Sequence, residues 1–156
     1  MSAEHSSLVP SFVVFQVGTR RVALPRDAVA ELIASPVLFK FPHTTPLVTG
    51  VALRRGRILP VLDLGPAVMG TASVAARFFL VVERRIENRS ERCAIPVHGE
   101  CELVAGIMIP PAGTEEFVSG CLDLNGELIN VLDLEKAIAA GVRRDEASVA
   151  TEEALP

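Results

Sequence analysis

Short runs of apolar residues, several of them alternating with polar ones, predict strands along most of the chain. FVVFQV at Phe12–Val17 and VALP at Val22–Pro25 are rich in residues that favour strands, and Gly18-Thr19-Arg20 between them is a turn signal. Val48–Leu53 and Ile58–Asp63 form a second pair of this kind. The short spacing within each pair favours an antiparallel hairpin.

The same pattern occurs twice in the chain. LRRGRILPVLDL at Leu53–Leu64 returns as DLNGELINVLDL at Asp123–Leu134. The other matching segments are Val22–Ile33 with Cys93–Val104, Val48–Val68 with Val118–Ile138, and the strands that begin at Phe12 and Phe78. A repeat that extends over about residues 12 to 140 indicates an internal duplication.

The segments between these strands are richer in proline and charge. A Pro-punctuated loop is expected after the first hairpin in each half, and Arg84–Ser90 (RRIENRS) is expected to be a long polar connection. Only Leu134–Ala140 (LEKAIAA) has a composition that favours a helix, with one further helical turn expected near Gly65–Met69.

Five or so short strands per half, without the spacing of βαβ units, predict an all-β fold. We expect two five-stranded β-barrels related by a pseudo-twofold internal duplication, followed by a short C-terminal helix. The domain should cover residues 11–140, with the first barrel at about 11–76, the second at about 77–140, and flexible termini at 1–10 and 141–156. Each barrel alone would hold about 65 residues, so the two should pack together.

Composition and charge narrow the class of protein. Apolar residues make up 49% of the 156 residues, which indicates many buried positions. A net charge of −4 and the absence of Trp and Tyr argue against nucleic-acid binding, which needs a basic face or stacking aromatics. The first residues lack the basic region and apolar run of a secretory signal, and no run is long enough for membrane insertion, so we expect neither. Three cysteines, an odd number, favour a reducing cytoplasm.

Two aspartates, Asp63 and Asp133, follow the repeated VL at equivalent positions. Paired carboxylates in a duplicated β protein suggest an aspartic protease, in which the two groups share a proton. Those enzymes have a hydroxyl residue and Gly after the Asp, whereas this chain has Asp-Leu-Gly and Asp-Leu-Glu. We therefore expect each Asp to end a strand and to cap the element that follows.

Cys93, His98 and Cys101 lie close enough in the sequence to suggest a metal site. Their spacing matches no strong zinc signature, and a fourth ligand is not evident. The duplication places Cys93 where the first half has Val22, so cysteine stands in for a small apolar residue. Because His43 and His98 also lack a nucleophile–base motif, we expect no catalytic residue, no metal and no cofactor.

The two matching hairpins differ at their turns. The second has Asn125-Gly, which favours a two-residue type I′ turn. The first has Arg55-Gly56, although Arg adopts a positive φ at a cost of about 1 kcal/mol relative to Asn or Gly. Arg54 and Arg57 flank it, and Arg on a rigid hairpin suits a protein interface. The alternative is a solvated, charged turn without a function.

FVVFQVGTRRVALPRDAVAELI and, above all, GVALRRGRILPVLDL at Gly50–Leu64 resemble the CheW-like domain, the adaptor module of bacterial chemotaxis arrays. The resemblance continues to GCLDLNGELINVLDLEKAI and covers about residues 11–140. It implies two SH3-like barrels and a non-enzymatic, cytoplasmic scaffold that couples chemoreceptors to a CheA-type histidine kinase in chemotaxis or a related motility pathway. The implied partners are the regulatory domain of that kinase and the cytoplasmic tip of the receptor.

The resemblance also implies which residues contact these partners. With the flanking Arg54 added, they are Val29, Glu31, Gly50, Arg54, Arg55 and Gly56. The family commonly has Asn and an apolar residue where this chain has Leu53 and Arg54, so the chain departs from the pattern beside the turn. The alternative function is a small-ligand or metal sensor of the same fold, with its site between the barrels.

Overall fold

The structure is a computed structural model that describes residues 9–34, 36–40 and 45–154, with side chains described up to residue 147. It consists mostly of β-strands with a helix at the C-terminus, as predicted. The strands are β1 (Ser11–Val17), β2 (Arg20–Pro25), β3 (Val29–Ala34), β4 (Val37–Phe39), β5 (Val48–Arg54), β6 (Arg57–Leu62), β7 (Phe78–Ile86), β8 (Arg89–Ala105), β9 (Val118–Leu124) and β10 (Glu127–Leu132). The α-helices are α1 (Gly65–Met69) and α2 (Leu134–Ala154).

These strands form two barrels that share the long strand β8. Barrel 1 has the strand order β3-β7-β8-β6-β5, with the short strand β4 beside β5. Barrel 2 has the order β8-β1-β2-β10-β9. Strand β8 pairs with β7 from Arg89 to Val97 and with β1 from His98 to Ala105, so its two parts belong to different barrels. The two five-stranded units of the predicted fold are confirmed.

The two halves of the chain exchange their first hairpins. The β1–β2 hairpin pairs with β8 and β10 in barrel 2, while the β7–β8 hairpin of the second half pairs with β3 and β6 in barrel 1. The exchange is symmetric, because Val131 lies beside Ala23 in one parallel pair and Val61 beside Ala94 in the other. The predicted boundary between the barrels at residues 76 and 77 therefore does not follow the strand pairing, because each barrel contains strands from both halves of the chain.

The register of the exchanged hairpins corrects the internal alignment by one residue. Val13 pairs with Leu103, and Leu80 pairs with Leu32. Because Leu32 and Leu103 are equivalent in the duplication, Val13 corresponds to Leu80. Phe12 therefore corresponds to Phe79 and not to Phe78. Burial agrees, because Phe12 and Phe79 are both buried whereas Phe78 is 40% exposed. Two adjacent phenylalanines made the choice between these registers ambiguous in the sequence.

Three apolar clusters make up the core. Each barrel has a small interior of its own, with Phe79, Val81 and Leu59 in barrel 1 and the equivalent Phe12, Val14 and Ile129 in barrel 2. The largest cluster fills the space between the barrels and includes Phe15, Leu24, Leu80, Ile95 and Leu134. Burial of this shared surface joins two barrels whose own interiors are small.

Two segments predicted as connections contain strands. Strands β3 and β4 lie in the region expected to be a Pro-punctuated loop, and Arg84–Ser90 belongs to the long β7–β8 hairpin. Glu87 and Asn88 make the turn of this hairpin with φ angles of 48° and 65°. An ion pair between Glu83 and Arg92, which are directly opposite, supports the polar strands at a distance of 2.9 Å. Cross-strand pairing thus stabilises strands in Arg84–Ser90, although the polar composition of this segment predicted a connection without strands.

Helix α2 begins where it was predicted but continues past Ala140 to Ala154. The added part of the helix contacts Leu47, whose backbone N–H donates to Asp145 Oδ1 at 3.2 Å and whose side chain packs closely against Gly141. Residues 141–154 are therefore helical, while residues 1–8 and 155–156 of the predicted flexible termini lie outside the described residues. Along the described chain, no helix combines the length and apolar character needed to cross a bilayer.

Candidate functional site

The two matching hairpin turns have the backbone that the sequence predicts. Arg55 and Gly56, between β5 and β6, have φ angles of 51° and 75°. Asn125 and Gly126, between β9 and β10, have φ angles of 54° and 90°. Two successive positive φ angles are what a type I′ turn requires. Arg55 therefore does occupy a conformation that Asn adopts more easily, at the equivalent place of the same chain.

Glu31 and Arg54 meet beside this turn, although they are 23 residues apart in the sequence. The guanidinium of Arg54 donates from Nε to Oε1 and from Nη2 to Oε2 of Glu31, both at 3.2 Å. Such a two-pronged pair fixes the orientation of both side chains as well as their distance. Both are only partly exposed, so the pair forms a defined wall at the end of barrel 1.

A cleft of about 350 Å³ opens at this end of barrel 1. Its floor is formed by the apolar side chains of Leu59 and Val81, and its rim is formed mainly by charged ones. We call this rim the cationic mouth; it consists of Glu31, Arg54, Arg55, Arg57 and Arg92. Of the predicted contact residues, the structure thus brings three together, and Gly56 lies next to them in the turn.

The charges of the cationic mouth act on one another. The hydrogen bond from Arg54 lowers the pKa of the Glu31 carboxyl, and the positive charges of Arg54, Arg55 and Arg92 act in the same direction against the effect of partial burial. The same hydrogen bond raises the pKa of Arg54. Glu31 is therefore ionised at neutral pH and offsets one guanidinium of the mouth.

Two arginines of the mouth have no ionic partner in the part of the chain that the structure describes. Arg92 pairs with Glu83, and Arg54 with Glu31. Arg55 and Arg57 make no ion pair with any described residue, and both are exposed. They are available to carboxylates of another molecule.

Two residues of the cationic mouth, Arg57 and Arg92, were not among the contact residues predicted from the sequence. Arg57 stood out only as a neighbour of the turn, and Arg92 did not stand out at all. Arg92 reaches the mouth because the β7–β8 hairpin of the second half pairs into barrel 1. The only sequence signal for its position is the alignment of Arg92 with Arg21 in the duplication.

Gly50 and Val29 lie outside the lining of the cleft. A Cβ atom on Gly50 would be 2.6 Å from the carbonyl oxygen of Phe39, and one on Gly120, the equivalent glycine, 2.7 Å from that of Ile109. The close backbone approach predicted at Gly50 is therefore made within the chain, in both halves alike. Val29 packs against the cluster between the barrels.

The two aspartates have structural roles, as predicted. Asp63 is buried and accepts hydrogen bonds from Gly65 N and Ser73 Oγ on Oδ1, at 2.8 and 2.6 Å, and from Ser73 N on Oδ2 at 2.9 Å. Asp133 accepts one from Lys136 N at 3.0 Å and so caps the start of α2. Each carboxylate organises the backbone that follows its strand.

The candidate metal ligands are likewise engaged in packing and internal hydrogen bonds. His98 accepts the backbone N–H of Gly18 on Nδ1 at 3.1 Å, and its Nε2 lies 3.0 Å from the carbonyl oxygen of Val74. Cys93 is buried, and burial raises the pKa of its thiol to about 11. Among the described residues no three ligating side chains are near enough to hold a metal, and His43 lies outside them. Apolar side chains occupy the space between the barrels in which a sensor would hold its ligand.

Comparisons with known proteins agree with one another. The model of the CheW-like domain matches residues 11–142. Protein FrzA of Myxococcus xanthus is 31% identical over 140 residues, which cover 85% of this chain and 88% of that protein. The crystal structure of the scaffolding protein TtCheW from Thermoanaerobacter tengcongensis has the same fold, with a TM-score of 0.63, 23% identity, and coverage of 80% of this chain and 89% of that one.

Proposed function

The chain belongs to the CheW-like domain family, a family of chemotaxis-type signalling scaffolds, and we propose that it couples chemoreceptors to a CheA-type histidine kinase. In this role it catalyses no reaction and acts by holding two partners together in the cytoplasm. The partners we propose are the regulatory domain of the kinase and the cytoplasmic tip of the receptor. The setting we propose is bacterial chemotaxis or a related motility pathway.

The cationic mouth is the observation that supports a docking site. Arg55 and Arg57 are exposed and unpaired with any described residue, and they lie in and next to a tight hairpin turn that fixes their backbone positions. The planar guanidinium group matches a carboxylate in geometry, so each of these arginines can bind a carboxylate through two parallel hydrogen bonds. A partner that offers acidic side chains to this end of barrel 1 would gain charge-assisted hydrogen bonds.

Within this site we propose different roles for the residues. Arg55, held at positive φ by the turn, makes the direct contact, and Gly56 allows the turn to form. Glu31 and Arg54 support it as a fixed pair at the wall of the cleft. Val29 and Gly50 act through the fold, since one packs into the core and the other admits the backbone of β4.

Titration calorimetry with the regulatory domain of a CheA-type kinase from the same organism tests the proposal. Arg55→Asn gives the first turn the composition of the second, so the fold should be retained. We expect the wild type to bind and the variant to bind at least tenfold more weakly, a loss of about 1.4 kcal/mol. Asn125→Arg is the matched control, because it places Arg in the equivalent turn of barrel 2 and should leave the affinity unchanged.

The possible outcomes separate the function from the site. Equal affinity of wild type and Arg55→Asn would keep the adaptor function and place its interface elsewhere. Absence of binding by the wild type would contradict coupling to this kinase class. A loss of affinity in Asn125→Arg equal to that in Arg55→Asn would point to barrel 2 as an equal part of the interface.

A further inference from the structure

The cationic mouth is concave as well as charged. Its cleft of about 350 Å³ is within the size range of small-molecule sites. The buried side chains of Leu59 and Val81 form an apolar floor, and charged side chains surround this floor. A recess of this kind suits a small ligand that has an apolar part and a charged part.

The charges of the mouth are only partly compensated. Two of its four arginines are offset by carboxylates, one through the two-pronged pair at the wall and one through Glu83. Arg55 and Arg57 form no ion pair with any described residue, and both line the cleft. The cleft therefore presents two uncompensated positive charges.

A phosphate monoester matches this excess of charge. It carries about −1.5 to −2 at pH 7 and has three strong acceptor oxygens, whereas a carboxylate carries a single charge and has two oxygens. Guanidinium groups bind phosphate oxygens through two parallel hydrogen bonds. Since Arg55 and Arg57 line the same cleft, one phosphate group can accept from both.

The duplication shows that the fold requires neither of these arginines. At the equivalent positions the hairpin of barrel 2 has Asn125 and Glu127, and its turn has the same pair of positive φ angles. Glu127 pairs there with Arg21, so charge at that place is compensated within the chain. The two unpaired arginines of barrel 1 are therefore not a consequence of the shared backbone.

We propose that the cationic mouth binds a small phosphate monoester. Arg55 and Arg57 donate hydrogen bonds to its phosphate oxygens, and its apolar part lies on Leu59 and Val81. The carboxylate at the wall of the cleft is held by its own arginine, so it does not occupy these two.

This binding needs no partner protein and is thus independent of the proposed function. Only its consequence rests on that function. A mouth occupied by a phosphate group cannot also receive the carboxylates of a kinase domain, so the ester and the kinase domain compete. The ligand would then regulate the coupling of the kinase by this scaffold.

Titration calorimetry with phenyl phosphate, in the absence of any other protein, tests the site. Inorganic phosphate has a similar charge but no apolar part, and benzoate has the apolar part but a single charge. At equal ionic strength, we expect phenyl phosphate to bind at a single site and more tightly than either. NMR spectra should show shifts of the methyl resonances of Leu59 and Val81, which locate the ligand on the floor of the cleft.

Two substitutions identify the groups that hold the phosphate. Arg55→Asn and Arg57→Gln each remove one uncompensated charge, and circular dichroism checks that both variants fold. Each should bind phenyl phosphate about tenfold more weakly, because a hydrogen bond to a charged group contributes at least that much. Arg144→Gln, at an exposed position of α2 outside the mouth, makes an equal change of charge and should bind like the wild type.

The outcomes distinguish this inference from the proposed function. Absence of saturable binding, equal affinity for benzoate or inorganic phosphate, or an equal loss in Arg144→Gln would overturn the ligand site, even if the kinase domain binds. Binding of the ester at the mouth without binding of the kinase domain would support the ligand site and contradict the proposed function. Where both bind, saturating phenyl phosphate should weaken binding of the kinase domain, and an unchanged affinity would overturn the competition.

Discussion

Replacing Asp63 with Asn tests whether this buried carboxylate holds the chain that follows β6. Asp63 is only 5% exposed and accepts three hydrogen bonds, two on Oδ1 from Gly65 N and Ser73 Oγ and one on Oδ2 from Ser73 N. Asn has almost the same shape, but only one of its two terminal atoms can accept a hydrogen bond. The substitution therefore changes the hydrogen bonds without creating a cavity.

The size of the effect follows from these three contacts. With the Asn oxygen in the place of Oδ1, the amide nitrogen faces the backbone N–H of Ser73, which is also a donor. A buried donor left without an acceptor costs about 1–3 kcal/mol, and the remaining bonds weaken because a neutral oxygen replaces a charged one. We expect the free energy of unfolding to fall by about 2–4 kcal/mol, out of a total of about 5–15 kcal/mol for a domain.

Urea unfolding followed by circular dichroism measures this change, and Asp133→Asn is its matched control. Asp133 occupies the equivalent position, but it accepts a single hydrogen bond, from Lys136 N, as the cap of α2. Asn caps a helix about as well as Asp, so the control should change stability by less than about 0.5 kcal/mol. If Asp63→Asn shifts the unfolding midpoint no further than the control does, the reasoning from buried hydrogen bonds is refuted.

Other substitutions probe the turn, the ion pair and the close backbone approach. Arg55→Asn should raise the free energy of unfolding by up to about 1 kcal/mol, measured in urea, because Asn adopts the φ angle of 51° more easily. Glu31→Gln should remove a contribution to stability that depends on pH, because the folded-state pKa of Glu31 is lowered from its usual 4.5. The wild type should therefore be more stable than the variant above pH 4.5 and should lose this advantage as the pH falls through the lowered pKa. Urea midpoints of both proteins at several pH values measure the difference. Gly50→Ala should destabilise the chain by about 1–3 kcal/mol because its methyl group would lie 2.6 Å from the Phe39 carbonyl oxygen. Thermal unfolding beside Gly120→Ala, with 2.7 Å to the Ile109 oxygen, should give a similar loss.

Local signals explain why much of the fold could be predicted from the sequence. The β5–β6 and β9–β10 hairpins follow from alternation and from turns that contain Gly, both of which act within a few residues. The cap at Asp133 and the start of α2 are local in the same sense. Because the duplication repeats these local signals in the second half, the same hairpin could be predicted in both halves, and two similar barrels could be expected.

The strand exchange and most of the cationic mouth could not be predicted in this way. Alternation shows which face of a strand is buried but not which strand lies beside it, so the pairing of β1–β2 with β10 left no mark in the sequence. Arg92 enters the mouth through the same exchange. Glu31 was expected at a partner interface, but its pairing with Arg54 depends on how β3 and β5 curve around barrel 1.

A duplicated chain offers its own test of which residues serve the fold and which serve an interface. Gly50 and Gly120 are identical and meet the same close backbone approach, so the fold alone accounts for them. Arg57 and Glu127 occupy equivalent exposed positions with opposite charge, and the fold tolerates either. Because the fold does not determine which residue stands at such a position, binding partners can determine it. The difference in charge between the two hairpin tips is therefore not required by the fold, and it makes the tip of barrel 1 the one suited to acidic surfaces.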